Sequence, residues 1–251
     1  MLSAMSSLIR GLSTKIKLSD TDRQALETLP IDISDVKRGQ DVVREGERSG
    51  RCLLVVSGMV CSHKLLANGR RQILALHIQG DLPNLQSLLV DVQDCSILTL
   101  SDCQLGFVQH HHIRDLCMKS PTVAMVLWRS SLLDASIFKE WTANVGQRQS
   151  TARMAHLFCE TLTRLNAMGL APDHSADFPL TQADLGDALG ISTVHVNRTV
   201  MELRKTGSVS LERGRLSALN WPLLQRQGQF DPSYLNLHAA NSKTETEASL
   251  A

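Results

Sequence analysis

Aromatic residues make up only 4% of the 251 residues, too few for the stacking platforms that hold single-stranded nucleic acid. Charge of one sign is also lacking. Against 26 Lys and Arg stand 25 Asp and Glu, a net of +1, so any contact with a polyanion has to be local. No apolar run approaches the length of a membrane span, and the N-terminal stretch MLSAMSSLIRGLSTKIKL has no long apolar segment of the secretory type. No membrane is expected to be involved. The six cysteines (Cys52, Cys61, Cys95, Cys103, Cys117 and Cys159) form no C-x-x-C pair, which fits buried thiols in a reducing cytoplasm. Nucleophile-elbow, P-loop, zinc-protease and dinucleotide motifs are absent, so nothing points to an enzyme.

What remains is a composition with 43% apolar and 20% charged residues, enough for two modest domains with cores of their own. The most informative stretch is LTQADLGDALGISTVHVNRTVMEL, Leu180 to Leu203. Thr181 can cap a helix, with Asp184 completing a capping box. Gly186 leaves room for a second helix to cross, and Gly190 suits a left-handed exit. Ser192 can cap the second helix, in which Val196, Val200 and Leu203 repeat at helical spacing. The other face carries Thr193, Val194, Asn197, Arg198 and Met201, the arrangement of a helix that enters a major groove. A helical hairpin within a core is the alternative.

Upstream, from Asp32 to about Gln109, short apolar runs alternate with turn signals, of which Asn68-Gly69 is the clearest hairpin. A small barrel or jelly roll is expected there. Ser120-Pro121 then reads as a helix start. Val126, Ser130, Leu133, Ile137, Glu140 and Asn144 follow at heptad-like steps, a stripe that suits pairing with a copy of itself; packing on its own barrel could account for part of it. Gly146 is a plausible hinge, and a second helix is expected from about Gln149 to Met168. Ser208–Leu211 and Leu216–Leu219, joined by Glu212-Arg213-Gly214-Arg215, read as a two-stranded wing with a basic tip. The last dozen residues have the composition of a disordered tail.

This order of parts resembles the Crp/Fnr family of bacterial transcription regulators from about Ile31 to Leu224. The specific signals are Gly190, Ser192, Val196 and Arg198, together with the spacing Gly39, Gly46, Gly58, Gly69, Gly80-Asp81. The resemblance implies an α+β fold: a helical lead-in (1–30), a β-roll of the cyclic-nucleotide-binding type (31–119), a dimerisation helix (120–145), a winged helix-turn-helix (146–235) and a tail (236–251). It implies a homodimer, paired through Val126, Ser130, Leu133 and Ile137, on a palindromic site in double-stranded DNA, with RNA polymerase as a further partner. Arg198 matches the arginine that reads a guanine; Asn197 suits an adenine and Val194 a thymine methyl, with Thr193 beside them. Ser192, His195, Arg213 and Arg215 are placed to touch phosphate.

The family's effector contacts are missing. Where a Gly-Glu pair would bind a ribose stands Asn84-Leu85, and where an Arg-Ser or Arg-Thr pair would grip a cyclic phosphate stands Cys95-Ser96. Cyclic AMP in the usual mode is not expected, no cofactor is assigned, and the effector stays open. The iron–sulfur reading finds no cysteine before Cys52. Haem ligation by His63, His77, Cys52 or the run His110-His111-His112 competes with a solvated helix entry, and oxidation of Cys61, Cys95 or Cys103 competes with simple burial. A β-roll that binds a ligand and signals to a protein partner is the second functional reading.

Overall fold

Five glycines at the ends of short apolar runs, Gly39, Gly46, Gly58, Gly69 and Gly80, all take φ between 76° and 88° in the computed structural model, which describes residues 3–238. They punctuate seven antiparallel strands: β1 (Asp32–Val36), β2 (Asp41–Val43), β3 (Arg51–Ser57), β4 (Val60–Leu65), β5 (Arg71–His77), β6 (Ser96–Thr99) and β7 (Cys103–Gln109). One sheet has the order β2-β6-β4-β5 and the other β1-β7-β3. Leu53, Val55, Val60, Ile97 and Leu105 form a core drawn from both. Each such side chain, fully buried, contributes about 1.5–3 kcal/mol. At Gly80 a Cβ would come within 2.7 Å of the Gly11 Cα. That close approach seats α1 (Ala4–Ser13) directly on the turn after β5, and α2 (Asp20–Glu27) follows.

Ser120 accepts a hydrogen bond from the Val123 N–H at 3.4 Å and Pro121 takes the first helical position, opening the long helix α4 (Pro121–Gln147) after α3 (His110–Lys119). Here one expectation is corrected. Val126, Ser130, Leu133 and Ile137 are all buried against their own chain. Val126 packs with α1 and β3 residues, Ser130 Oγ accepts from Lys15 Nζ at 2.9 Å, and Ile137 joins the core beneath α5 (Ser150–Ala167). The helix has two apolar faces, and this one is spent internally. The outward face carries Met125 (56% exposed), Trp128 (60%), Leu132 (55%) and Phe138 (37%). Gly146 is not the hinge either: α4 runs through it, and the chain turns at Arg148 and Gln149, both extended with ψ of 146° and 156°.

Beyond α5 come β8 (Ser175–Asp177), α6 (Gln182–Leu189), α7 (Thr193–Lys205), β9 (Val209–Glu212), β10 (Arg215–Ala218) and α8 (Trp221–Gly228). The strands form a sheet of order β8-β10-β9. Phe158, Leu162, Phe178, Leu189, Val196, Leu203 and Leu216 share one core with the α4–α5 contact. A short 3₁₀ turn, Pro232–Leu235, then returns to α4, and the His238 N–H donates to the Thr14 carbonyl at 2.6 Å. Of the residues expected in the tail, Leu237 packs on the core while Asn236 and His238 stay exposed; 239–251 lie outside the described residues.

Candidate nucleic-acid interface

The α6–α7 unit is built by local chemistry. Thr181 and Asp184 form the reciprocal capping box, Gly190 ends α6 at φ 66°, and the Ser192 side chain accepts from the His195 N–H to start α7. A Cβ on Gly186 would lie 2.8 Å from the Ile191 carbonyl oxygen, so the small residue sets how tightly the two helices cross. Val196 and Leu203 are fully buried, and Thr199 spans the same face with its hydroxyl donating to the His195 carbonyl at 2.9 Å. With that face consumed, Thr193, Val194, Asn197, Arg198 and Met201 are left exposed together.

Arg198 has no ion pair or hydrogen bond among the described residues, so its five donors are free for an outside acceptor. His195 is less free: its Nε2 lies 3.0 Å from Ser150 Oγ at the start of α5. The wing turns through Arg213 at φ 50° and Gly214 at φ 75°, a primed hairpin turn. Arg213 projects at the tip without a partner among the described residues, whereas Arg215 is held by Ser175 Oγ at 2.9 Å and Asp177 Oδ1 at 3.2 Å. Of the four residues expected at phosphate, Arg213 is the most available.

A second contact was not visible in the sequence. Asp184, the capping carboxylate of α6, also takes Arg38 Nη2 at 2.9 Å and Arg71 Nη2 at 2.6 Å from the β-roll. Arg71 Nε adds Asp187 at 2.8 Å, and Arg38 Nη1 adds the Pro179 carbonyl at 2.7 Å. Burial pushes the Asp184 carboxyl up, but hydrogen bonds from Thr181 and Arg71 outweigh it and hold the group below its ordinary value. One side chain thus caps the helix and ties it to the β-roll. No motif marks Arg38 or Arg71, because the pairing spans more than a hundred residues.

The β-roll positions of a cyclic-nucleotide site are used structurally. Asn84 Oδ1 accepts from the Leu53 N–H at 2.7 Å and Leu85 is buried. Cys95 is buried as well, and Ser96 Oγ accepts from the Glu45 N–H at 3.0 Å. A cavity of about 320 Å³ between β4, β5 and α4 is lined by Ser62, His77, Asp94, Asp134 and Phe138 among others, with no arginine or lysine. Two carboxylates and no cation do not fit a cyclic phosphate. His77 Nε2 is 2.8 Å from Ser62 Oγ, His63 Nε2 is 3.1 Å from Asp41, and His110 Nε2 is 2.9 Å from Ser87 Oγ. Among the described residues no three His, Cys, Asp or Glu side chains converge as a metal site. Burial pushes the Cys52 and Cys61 thiols up to about 12 and Cys95 to about 11, which disfavours the reactive thiolate.

Comparison with known proteins gives two matching families along the chain. Residues 34–120 match the cyclic nucleotide-binding domain and residues 152–227 the Crp-like helix-turn-helix domain. The transcriptional activator protein FnrL of Cereibacter sphaeroides is 25% identical over 183 residues, covering 70% of this chain and 72% of that protein. The fumarate and nitrate reduction regulatory protein of Vibrio cholerae is 20% identical, covering 84% of each. FixK2 from Bradyrhizobium japonicum has the same fold, with a TM-score of 0.73 at 23% identity over 79% of this chain and 98% of that one.

Proposed function

The chain belongs to the Crp/Fnr family of DNA-binding transcription regulators, and from that premise we propose that it acts as a homodimer on an inverted repeat, with one α7 in each half-site. The observation that carries the reading is the free, exposed group Val194, Asn197 and Arg198 on the first two turns of α7, backed by a buried opposite face. Arg198 reads a guanine through O6 and N7, Asn197 an adenine, and Val194 a thymine methyl, with Thr193 at the groove edge. Ser192, His195 and Arg213 touch phosphate, and Arg215 reaches it only by leaving Asp177.

The dimer forms through the outward face of α4, where Met125, Trp128, Leu132 and Phe138 present the apolar stripe. RNA polymerase is the partner through which the bound dimer acts, and the cytoplasm is its compartment; no helix among the described residues is long and apolar enough to cross a membrane. Regulation does not run through cyclic AMP, since Asn84, Leu85, Cys95 and Ser96 are consumed in the fold. The test is direct. Arg198→Ala should weaken binding to the preferred duplex by about 1–3 kcal/mol and relax base preference at one position of each half-site. Unchanged specific binding in a titration of the variant would remove α7 from the interface.

A further inference from the structure

The DNA-binding half leaves α4 at a joint of two extended residues, Arg148 and Gln149, where Arg148 pairs back to Glu140 at 2.7 Å and its carbonyl accepts from Arg153 Nη2 at 3.0 Å. Beside it lies a carboxylate that the DNA contacts do not use. Glu160 on α5 is 1% exposed. Trp141 on α4 donates its Nε1–H to both carboxylate oxygens, at 3.0 and 3.1 Å. The Tyr234 hydroxyl, from the segment that returns after α8, donates to Oε2 at 2.7 Å. Three chain segments therefore meet on one buried carboxyl group.

The network extends to both sides. Tyr234 Oη is 3.2 Å from His156 Nε2, whose Nδ1 lies 3.2 Å from the Gly228 carbonyl at the end of α8. Arg164 Nη1 is 3.5 Å from Glu160 Oε1, and the same guanidinium grips Asp81 at 2.7 Å and the Leu76 carbonyl at 2.9 Å in the β-roll. Rotating α5 about the joint pulls Glu160 from Trp141. Tyr234 stays with α5, where its bond to Oε2 fixes the carboxylate that Trp141 meets. A buried carboxylate deprived of its donors is far costlier than one that keeps them, so a single angle between α4 and the DNA-binding half is favoured.

We propose that Trp141 and Tyr234 are positioning residues for DNA recognition: by holding Glu160 they fix the angle between α4 and α7. This rests on the homodimer reading, because in a dimer joined along α4 that angle sets the distance between the two recognition helices. It thereby sets which half-site spacing is accepted.

The test compares the wild-type protein, Tyr234→Phe, which removes only the hydroxyl, and Phe230→Leu, which disturbs the neighbouring packing and leaves every donor to Glu160 in place. Affinity is measured for the preferred inverted repeat and for the same repeat with one base pair inserted between the half-sites. Hydrogen exchange of amides 141–150 is followed in the free protein. Tyr234→Phe should cut the discrimination between the two duplexes roughly tenfold, the equivalent of about 1.4 kcal/mol, and speed exchange at the joint, while Phe230→Leu changes neither comparably. Retained discrimination and exchange in Tyr234→Phe, or equal loosening in Phe230→Leu, overturns the proposal. If no inverted repeat is bound by any of the three, the homodimer reading fails and the exchange data alone decide whether the brace exists.

Discussion

His77 and His156 sit in different halves of the molecule and share one electrostatic fate. Burial lowers each to about 4, with Arg164 and Lys15 adding to the effect at His77 and Arg148 at His156. At pH 7 both are neutral in the folded chain and mostly neutral in the unfolded one, so they affect stability little there. Between pH 6.5 and 4 the unfolded chain takes up a proton that the folded one refuses, and stability falls as pH falls. For a shift of this size the loss at pH 5 is roughly 2 kcal/mol per histidine. Asp134 and Glu160 act in the opposite direction, since burial raises both carboxyls, so a comparison isolates the effect better than a single curve. Urea unfolding of wild type and His77→Asn at pH 7.5 and pH 5 should show the variant losing about 2 kcal/mol less across that interval. Parallel losses would mean that His77 is not held neutral by the fold.

At the scale of elements, α4 carries the sharpest contrast. Leu133 and Leu132 are adjacent in sequence, but Leu133 is 6% exposed and Leu132 is 55% exposed. Leu132→Glu should leave the fold intact and shift the protein to monomers in sedimentation analysis. Leu133→Ala should cost about 2–5 kcal/mol of folding stability through the cavity it leaves. If Leu132→Glu sediments as the wild type does, the outward face is not the pairing surface. The same helix shows where sequence reading stops. The capping box at Thr181 and Asp184, the left-handed Gly190, the Ser192 cap and the Asn68-Gly69 hairpin were legible because each is a local rule acting within four residues. Val126, Ser130, Leu133 and Ile137 admit both pairing with a copy and packing on the β-roll, because a period identifies an apolar face without saying what covers it. Trp128 and Met125 mark a second such face on the same helix. The grip of Arg38 and Arg71 on Asp184 and the meeting of Trp141, Glu160 and Tyr234 depend on residues brought together from distant parts of the chain, which no local pattern encodes.

Taken as a whole, the molecule joins a β-roll to a winged helix-turn-helix through one long helix and holds the two halves by charge at two places. Asp184 takes arginines from the β-roll, and Arg164 reaches from α5 to Asp81. The Asp184 grip is partly exposed at Arg38 and weakens with salt, whereas the Arg164–Asp81 pair is buried and does not. These contacts join the β-roll to the DNA-binding half, while the positions of the cyclic-phosphate contacts hold Asn84, Leu85 and Cys95. The central claim is sequence-specific recognition of duplex DNA by paired copies of α7. Selection of preferred sequences from a random duplex library by the purified protein tests it most directly. The account predicts enrichment of an inverted repeat with half-site centres about one helical turn apart, carrying in each half-site one invariant guanine that becomes variable with Arg198→Ala. Enrichment of no duplex by a folded dimer, or of a motif indifferent to Arg198, would contradict it.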